Sequence, residues 1–269
     1  MDMKKVLTIA GSDTSGGAGL QADLKAFEER STYGMSAITV LVAMDPDTNW
    51  SHQVFPVELN TIKAQIKTVL NGIGIDAVKT GMLPTVDIIQ YVGSVLANVQ
   101  APIVIDPVMA CKVNGGVPQN LFPENVDAMR KYLLPHASVV TPNDFEAAQL
   151  AGMDGLHNLD DAKEAAKRIH ELGAQNVVIK SREGFGNGVA LDLSDDGKDF
   201  TPMGSQRVDT HWTHGAGCTY SAIITAELAK GKTVKEAVMI AKTLITKALE
   251  HAFPLNQYAG PVDHHQLRS

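Results

Sequence analysis

Short apolar runs that end in glycine or polar loops alternate with amphipathic helical stretches along nearly the whole chain, and few folds admit that alternation. A run followed by a crossover helix returns parallel to the first, so the pattern predicts an α/β domain of three layers, α/β/α, with helices on both faces of a mostly parallel central sheet. Residues 6–10 read as a buried strand that opens through a glycine loop into a helix at 20–30. Further strands are expected at 36–43, 75–80, 103–106, 138–141 and 176–180, with helices at 60–72, 85–99, 123–134, 160–172 and 234–251. A hairpin is expected from 188–193 and 198–202 across Asp195-Asp196-Gly197. With 269 residues, 44% of them hydrophobic, and no repeat or linker, the chain reads as one domain over 1–269.

The stretch Thr213-His214-Gly215-Ala216-Gly217-Cys218-Thr219 runs straight into a helical pattern at 220–230. Gly215 and Gly217 keep side chains away from the backbone, and the N–H groups of a first helical turn have no internal partner. Gly215, Ala216 and Gly217 therefore read as an anion hole, or else as a plain glycine loop with Cys218 a small buried packing residue. Cys218 stands at the helix start, where the field favours a thiolate and lowers the thiol below its free value of about 8.5. A proton acceptor beside a phosphate cradle is the minimum equipment for transferring a phosphoryl group to a hydroxyl.

Other strand ends carry the remaining polar groups. Gly11 opens the first loop, whose Gly17 to Ala22 fit a loose dinucleotide pattern, although about six residues separate the strand end from Gly17, where that fingerprint needs a turn at the strand itself. Asp23 lies one turn into the following helix, and Met44 ends the second strand. Asp106, before Pro107, is a magnesium ligand or a turn starter. Residues 108–119, with Cys111 and Lys112, lack either periodicity and read as a mobile lid. Asn143 and Glu146, three apart at a helix start, form a ligand pair or a capping box. Lys180 ends its strand as a phosphate contact or an ordinary lysine. His52 reads as an exposed loop histidine or, shortly after Met44, as lining the substrate pocket, His264 and His265 as a solvated tail, and His211, His214 and Cys218 as too few ligands for zinc.

A net charge of −7 argues against nucleic acid and anionic membranes as partners. The N-terminal residues lack a signal-peptide pattern and no apolar run reaches membrane-spanning length. The two cysteines, Cys111 and Cys218, are far apart, so free thiols and a cytoplasmic location are expected.

The motifs Ala10-Gly11-Ser12-Asp13, Gln21-Ala22-Asp23-Leu24-Lys25, Lys79-Thr80-Gly81-Met82-Leu83, Asp106-Pro107-Val108-Met109, Thr141-Pro142-Asn143 and Thr213 to Thr219 together resemble the hydroxymethylpyrimidine (phosphate) kinases of the ribokinase superfamily. The resemblance runs from about residue 6 to 260 and implies a ribokinase-like fold, ATP and Mg2+ as cofactors, a hydroxymethyl acceptor on a small heterocycle, and a homodimer. It implies Cys218 as general base where most of the superfamily has Asp. Asn143, Lys180 and Thr213 fall to ATP, Asp106 and Glu146 to the metal, and Gly11, Asp23, Met44, Met82 and Val108 to the heterocycle. Met44 replaces the glutamine that would bond a pyrimidine amine, and Cys111 stands in the lid. Both features resemble the dual-cysteine pyridoxal kinases, in which a lid thiol can add to the aldehyde beside the accepting hydroxymethyl group. Hydroxymethylpyrimidine phosphorylation is the alternative, followed by a sugar kinase or a nucleotide-binding regulator with a degenerate site.

Overall fold

The computed structural model describes residues 2–111, 119–120, 124–181, 185 and 190–268, with backbone alone at 110, 111, 119 and 120. The chain gathers into two compact units, Met1–Pro84 with Val208–Ser269, and Thr85–Arg207.

The first unit begins with β1 (Lys5–Asp13), α1 (Gly19–Glu29) and β2 (Tyr33–Asp45), then β3 (Ser51–Pro56), α2 (Leu59–Gly72) and β4 (Ala77–Thr80). β1 pairs in parallel with both β2 and β4. Val6, Leu7, Thr8, Ile9 and Ala10 are all buried, as the unbroken apolar run of a strand covered on both faces requires. β3 runs antiparallel to β2, placing His52 opposite Met44. This strand was not expected, because Ser51–Pro56 is half polar and lies at most partly buried.

The second unit contains α3 (Val86–Leu96), β5 (Ile103–Ile105), a ribbon of β6 (Ala110–Cys111) and β7 (Gln119–Asn120), and α4 (Asn125–Tyr132). β8 (Val139–Val140), α5 (Asp144–Ala151), α6 (Leu159–Glu171), β9 (Val177–Ile179), β10 (Ala190–Asp195) and β11 (Phe200–Ser205) complete it. β5, β8 and β9 are parallel, and the β10–β11 hairpin adds antiparallel to β9. The stretch read as an aperiodic lid thus begins and ends in a two-stranded ribbon, with Cys111 paired to Gln119. The Cys111 side chain and residues 112–118 lie outside the described residues.

The chain returns to the first unit with α7 (Ala216–Ala229) and α8 (Val234–Glu250). α7 starts four residues earlier than the periodicity indicated, and every residue from Thr219 to Ala229 is buried against α1, α8, β1 and β4. A helix covered all round carries no amphipathic signal at its ends, so its start is fixed by the glycine rather than by pattern. Buried Glu227 accepts from Arg30 and Lys230, at 2.8 and 2.7 Å, and Arg30 also donates to the carbonyl of Leu267 at 2.8 Å. Breaking such a buried pair costs about 3 to 5 kcal/mol. The tail is not wholly solvated: His265 is exposed, but His264 is buried with Nε2 2.9 Å from Thr219 Oγ1. Burial, then the nearby Lys25 charge, pushes the His264 imidazolium down to about 4.

Candidate active site

Gly215 is the N-cap of α7 with φ of 76°, a conformation that glycine adopts without strain. A Cβ there would overlap the carbonyl oxygen of Gly17, so the turn before α7 and the loop after β1 meet backbone against backbone. Gly17 is equally constrained, since its Cβ would lie 2.5 Å from the His214 ring. Ala216 turns its N–H back to the Thr213 carbonyl at 3.2 Å, which closes the turn. Thr213, expected to touch nucleotide, has at least this structural duty. Gly217 and Cys218 follow in the first helical turn, where N–H groups point along the axis at an incoming anion. Cys218 is half-buried and forms no disulfide.

Asp13 ends β1 and is 5% exposed. Its carboxylate accepts from Ser15 N–H at 2.8 Å, Ser15 Oγ at 2.9 Å, Ala18 N–H at 2.7 Å and His214 Nε2 at 2.7 Å. Burial alone would raise its pKa, but the hydrogen bond and charge of His214 and the two Ser15 donors outweigh that and hold it at about 2. Neither Asp13 nor His214 was given a role by the sequence, although both lie within the motifs that carry the resemblance. Their separation of 201 residues hid the pair. His214 thus bonds a carboxylate, a different duty from the metal ligation weighed for it.

Beside this loop lies the expected acceptor face. A Cβ on Gly11 would meet Val40 and, at 3.6 Å, the Cβ of Met82. Val40, Val42 and Met44 alternate onto one face of β2, and His52 shares that face because directly opposed residues do. His52 is half-buried rather than an exposed loop residue, and its Nδ1 is sealed from solvent with no partner among the described residues. Burial, then the His214 charge, lowers its pKa, partly offset by Asp13. Asp23, expected against the heterocycle, is fully buried and paired within the protein: its two oxygens take Lys79 Nζ at 2.7 Å and Thr8 Oγ1 at 2.6 Å. Thr8 and Lys79 are register neighbours on β1 and β4, so α1 lays Asp23 across both. A lysine inside an apolar strand signals that some carboxylate must meet it, since a fully buried ammonium needs one, but not which carboxylate.

In the second unit, Asp106, Asn143, Glu146 and Lys180 come together as expected. Lys180 Nζ and Thr141 Oγ1 lie 3.1 and 3.2 Å from Asp106 Oδ1. Parallel pairing of Asn143 with Lys180 brings the α5 cap to the end of β9. Asn143 and Glu146 form a complete capping box at 2.8 and 2.9 Å, so the structural role foreseen for them is present. Glu146 is also 4% exposed, its Oε1 3.4 Å from Met109 N–H. Burial pushes it up to about 7, with Lys180 lowering and Asp106 raising it. Val108 is half-buried and donates its N–H to the Asp106 carbonyl at 2.9 Å. Two buried carboxylates beside a lysine are hard oxygen donors of the kind Mg2+ takes along with phosphate and water. No group of three or more His, Cys, Asp or Glu side chains arranged for a metal occurs among the described residues, so a metal here would draw further ligands from phosphate and water.

The first unit thus offers a glycine turn of helix-start amides next to a thiol, and the second a cluster of two buried carboxylates and a lysine. The chain belongs to the phosphomethylpyrimidine kinase family, whose model matches residues 13–263. It is 55% identical over 269 residues to the pyridoxine kinase of Bacillus subtilis, covering 100% of this chain and 98% of that one. The structure of a Bacillus subtilis pyridoxal kinase in complex with ADP superposes with a TM-score of 0.92 at 55% identity, covering 99% of each chain. The Staphylococcus aureus pyridoxal kinase in complex with AMP-PCP and pyridoxal gives 0.91 at 47% identity, covering 98% of this chain and 95% of that one. The architecture is therefore the ribokinase-like α/β fold, with its large, mostly parallel sheet. No helix among the described residues is long and apolar enough to cross a membrane.

Proposed function

We propose that the chain transfers the γ-phosphoryl group of ATP to the 5′-hydroxymethyl group of pyridoxal, as a kinase of the dual-cysteine subtype. The observation that carries the reading is the turn at Gly215 to Cys218, where helix-start amides and a thiol share one site at the head of a buried helix. In the reaction the substrate O–H gives its proton to the Cys218 sulfur, the new oxygen–phosphorus bond forms, and the bond to the β-phosphate oxygen breaks to release ADP. The amides of the turn stabilise the charge that develops on the transferred group. Asn143 and Lys180 bind the phosphates of the nucleotide. Asp106 and Glu146 would hold Mg2+, which would supply neutralisation of phosphate charge.

The heterocycle lies on the face of Gly11, Met44 and Met82, with Asp23 and Lys79 supporting that face from behind. Met44 offers apolar contact where a pyrimidine amine would need a hydrogen-bond acceptor, which favours pyridoxal over hydroxymethylpyrimidine. The Cys111 thiol adds across the pyridoxal aldehyde: a carbon–sulfur bond forms, the carbonyl π bond breaks, and the proton goes to its oxygen. The reading takes 1–269 as one kinase domain acting as a cytoplasmic homodimer. Mass spectrometry of pyridoxal incubated with ATP, Mg2+ and the purified protein should show ATP-dependent gain of one phosphate. Cys111→Ala should slow pyridoxal turnover about tenfold more than that of pyridoxine, which has no aldehyde. Unmodified pyridoxal contradicts the assignment, and equal losses on both alcohols remove Cys111 from it.

A further inference from the structure

We infer that Asp13 and His214 are a positioning pair that locks the phosphate-cradling turn onto the loop after β1 and so fixes where the transferred phosphoryl group sits relative to its acceptor. The inference rests on the reading of Gly215 to Cys218 as the transfer site.

His214 immediately precedes the N-cap of α7 and is held from two sides. Its backbone N–H bonds the Gly260 carbonyl at 3.0 Å and its carbonyl accepts from Val262 at 3.4 Å, while its side chain reaches Asp13. Asp13 gathers the other loop: its carboxylate takes Ser15 and Ala18, and its own N–H donates to Gln21 Oε1 at 2.9 Å. Between these anchors the Gly17 carbonyl lies directly against Gly215, with no room for a side chain. The Asp13–His214 hydrogen bond, with Ser15 Oγ 3.2 Å from the same Nε2, therefore sets the relative position of the loop after β1 and the cradling turn.

Ser15, His214 and Asp13 superficially form a nucleophilic triad, and the geometry excludes it. A relay needs the imidazole to hold the hydroxyl on one nitrogen and the carboxylate on the other. Here Ser15 Oγ and Asp13 Oδ2 both meet Nε2, at 3.2 and 2.7 Å. An ionised carboxylate only accepts, so Nε2 carries the hydrogen and is no base. Asp13, with four protein donors and 5% exposure, is committed to holding the loop. Holding the backbone is the role that remains for the pair. A displacement of about 1 Å at such a site costs about 10²-fold in rate.

The test measures steady-state kinetics and melting curves for His214→Ala, His214→Gln, Asp13→Asn and the Asp13→Asn/His214→Ala double variant. His214→Ala should lower kcat about 10²-fold with KM for ATP and for the alcohol within about threefold. His214→Gln, which keeps an N–H donor, should recover about tenfold of that loss, and the double variant should be no slower than the worse single one. A His214→Ala enzyme that melts as a folded protein with kcat within about threefold of wild type overturns the inference, as do single losses that multiply. Wild-type turnover of hydroxymethylpyrimidine in place of pyridoxal would sink the acceptor assignment alone, and the same variants assayed on the pyrimidine then decide the pair. Turnover of neither alcohol would sink both.

Discussion

At the head of α7 the groups proposed to meet an anion are backbone amides, and the side chains around them, Asp13, Ser15 and His214, bond to one another and to that backbone. In the second unit the order is reversed: Asp106, Glu146 and Lys180 present side chains, and the strand pairing of Asn143 with Lys180 together with the α5 cap places them. A site made of backbone is sensitive to shape, since one added methyl group destroys it. A site made of buried charges is sensitive to balance, since removing one partner leaves the other uncompensated.

The largest expected effect is therefore steric. Gly215→Ala places a Cβ on the Gly17 carbonyl in a left-handed conformation and should lower kcat/KM about 10³-fold. A folded Gly215→Ala enzyme with near wild-type kinetics would show that the two loops do not need their close approach. Next, Cys218→Ala should lower kcat by about 10²-fold, and an unchanged kcat would take the proton-acceptor role from it. In the charged region, Lys180→Met should lower kcat/KM for ATP by about 10- to 100-fold while KM for pyridoxal holds. Loss expressed in pyridoxal binding instead would reassign that cluster.

The smallest effect concerns the buttress of α7. The buried His264 stays neutral to about 4, below the ordinary 6.5 of the unfolded chain. Between those values the unfolded state binds the extra proton, so stability is complete above pH 6.5 and falls as the pH drops toward 4. The loss between pH 7 and 5.5 should be about 1 kcal/mol in urea titrations. His264→Asn should flatten that part of the curve, and an unaltered slope would place the titrating group elsewhere.

Strands such as Ile103–Ile105 and Val177–Ile179 were legible because an apolar run ending in a polar loop has few alternatives. β3 was not, because an edge strand with Ser51, His52 and Gln53 lacks that run. The turn at Gly215 and Gly217 could be read because backbone sites advertise themselves through glycine. Lys79 with Asp23, 56 residues apart, His214 with Asp13, and His264 with Thr219 could not, since pairing across that distance is decided by which helix crosses which strand. For Asn143 and Glu146 the capping box is present, while the ligand role allowed beside it is a proposal, because a cap and a ligand pair share one sequence pattern.

The most direct test of the account is kcat/KM for pyridoxal and for hydroxymethylpyrimidine, measured side by side with ATP and Mg2+ on the wild-type protein. A preference for pyridoxal of about 10-fold or more is expected, because the pyrimidine amine loses its hydrogen bond opposite Met44. A preference for the pyrimidine would contradict the account at its centre, leaving the fold and the phosphate turn in place and the reading of Met44 and Cys111 overturned.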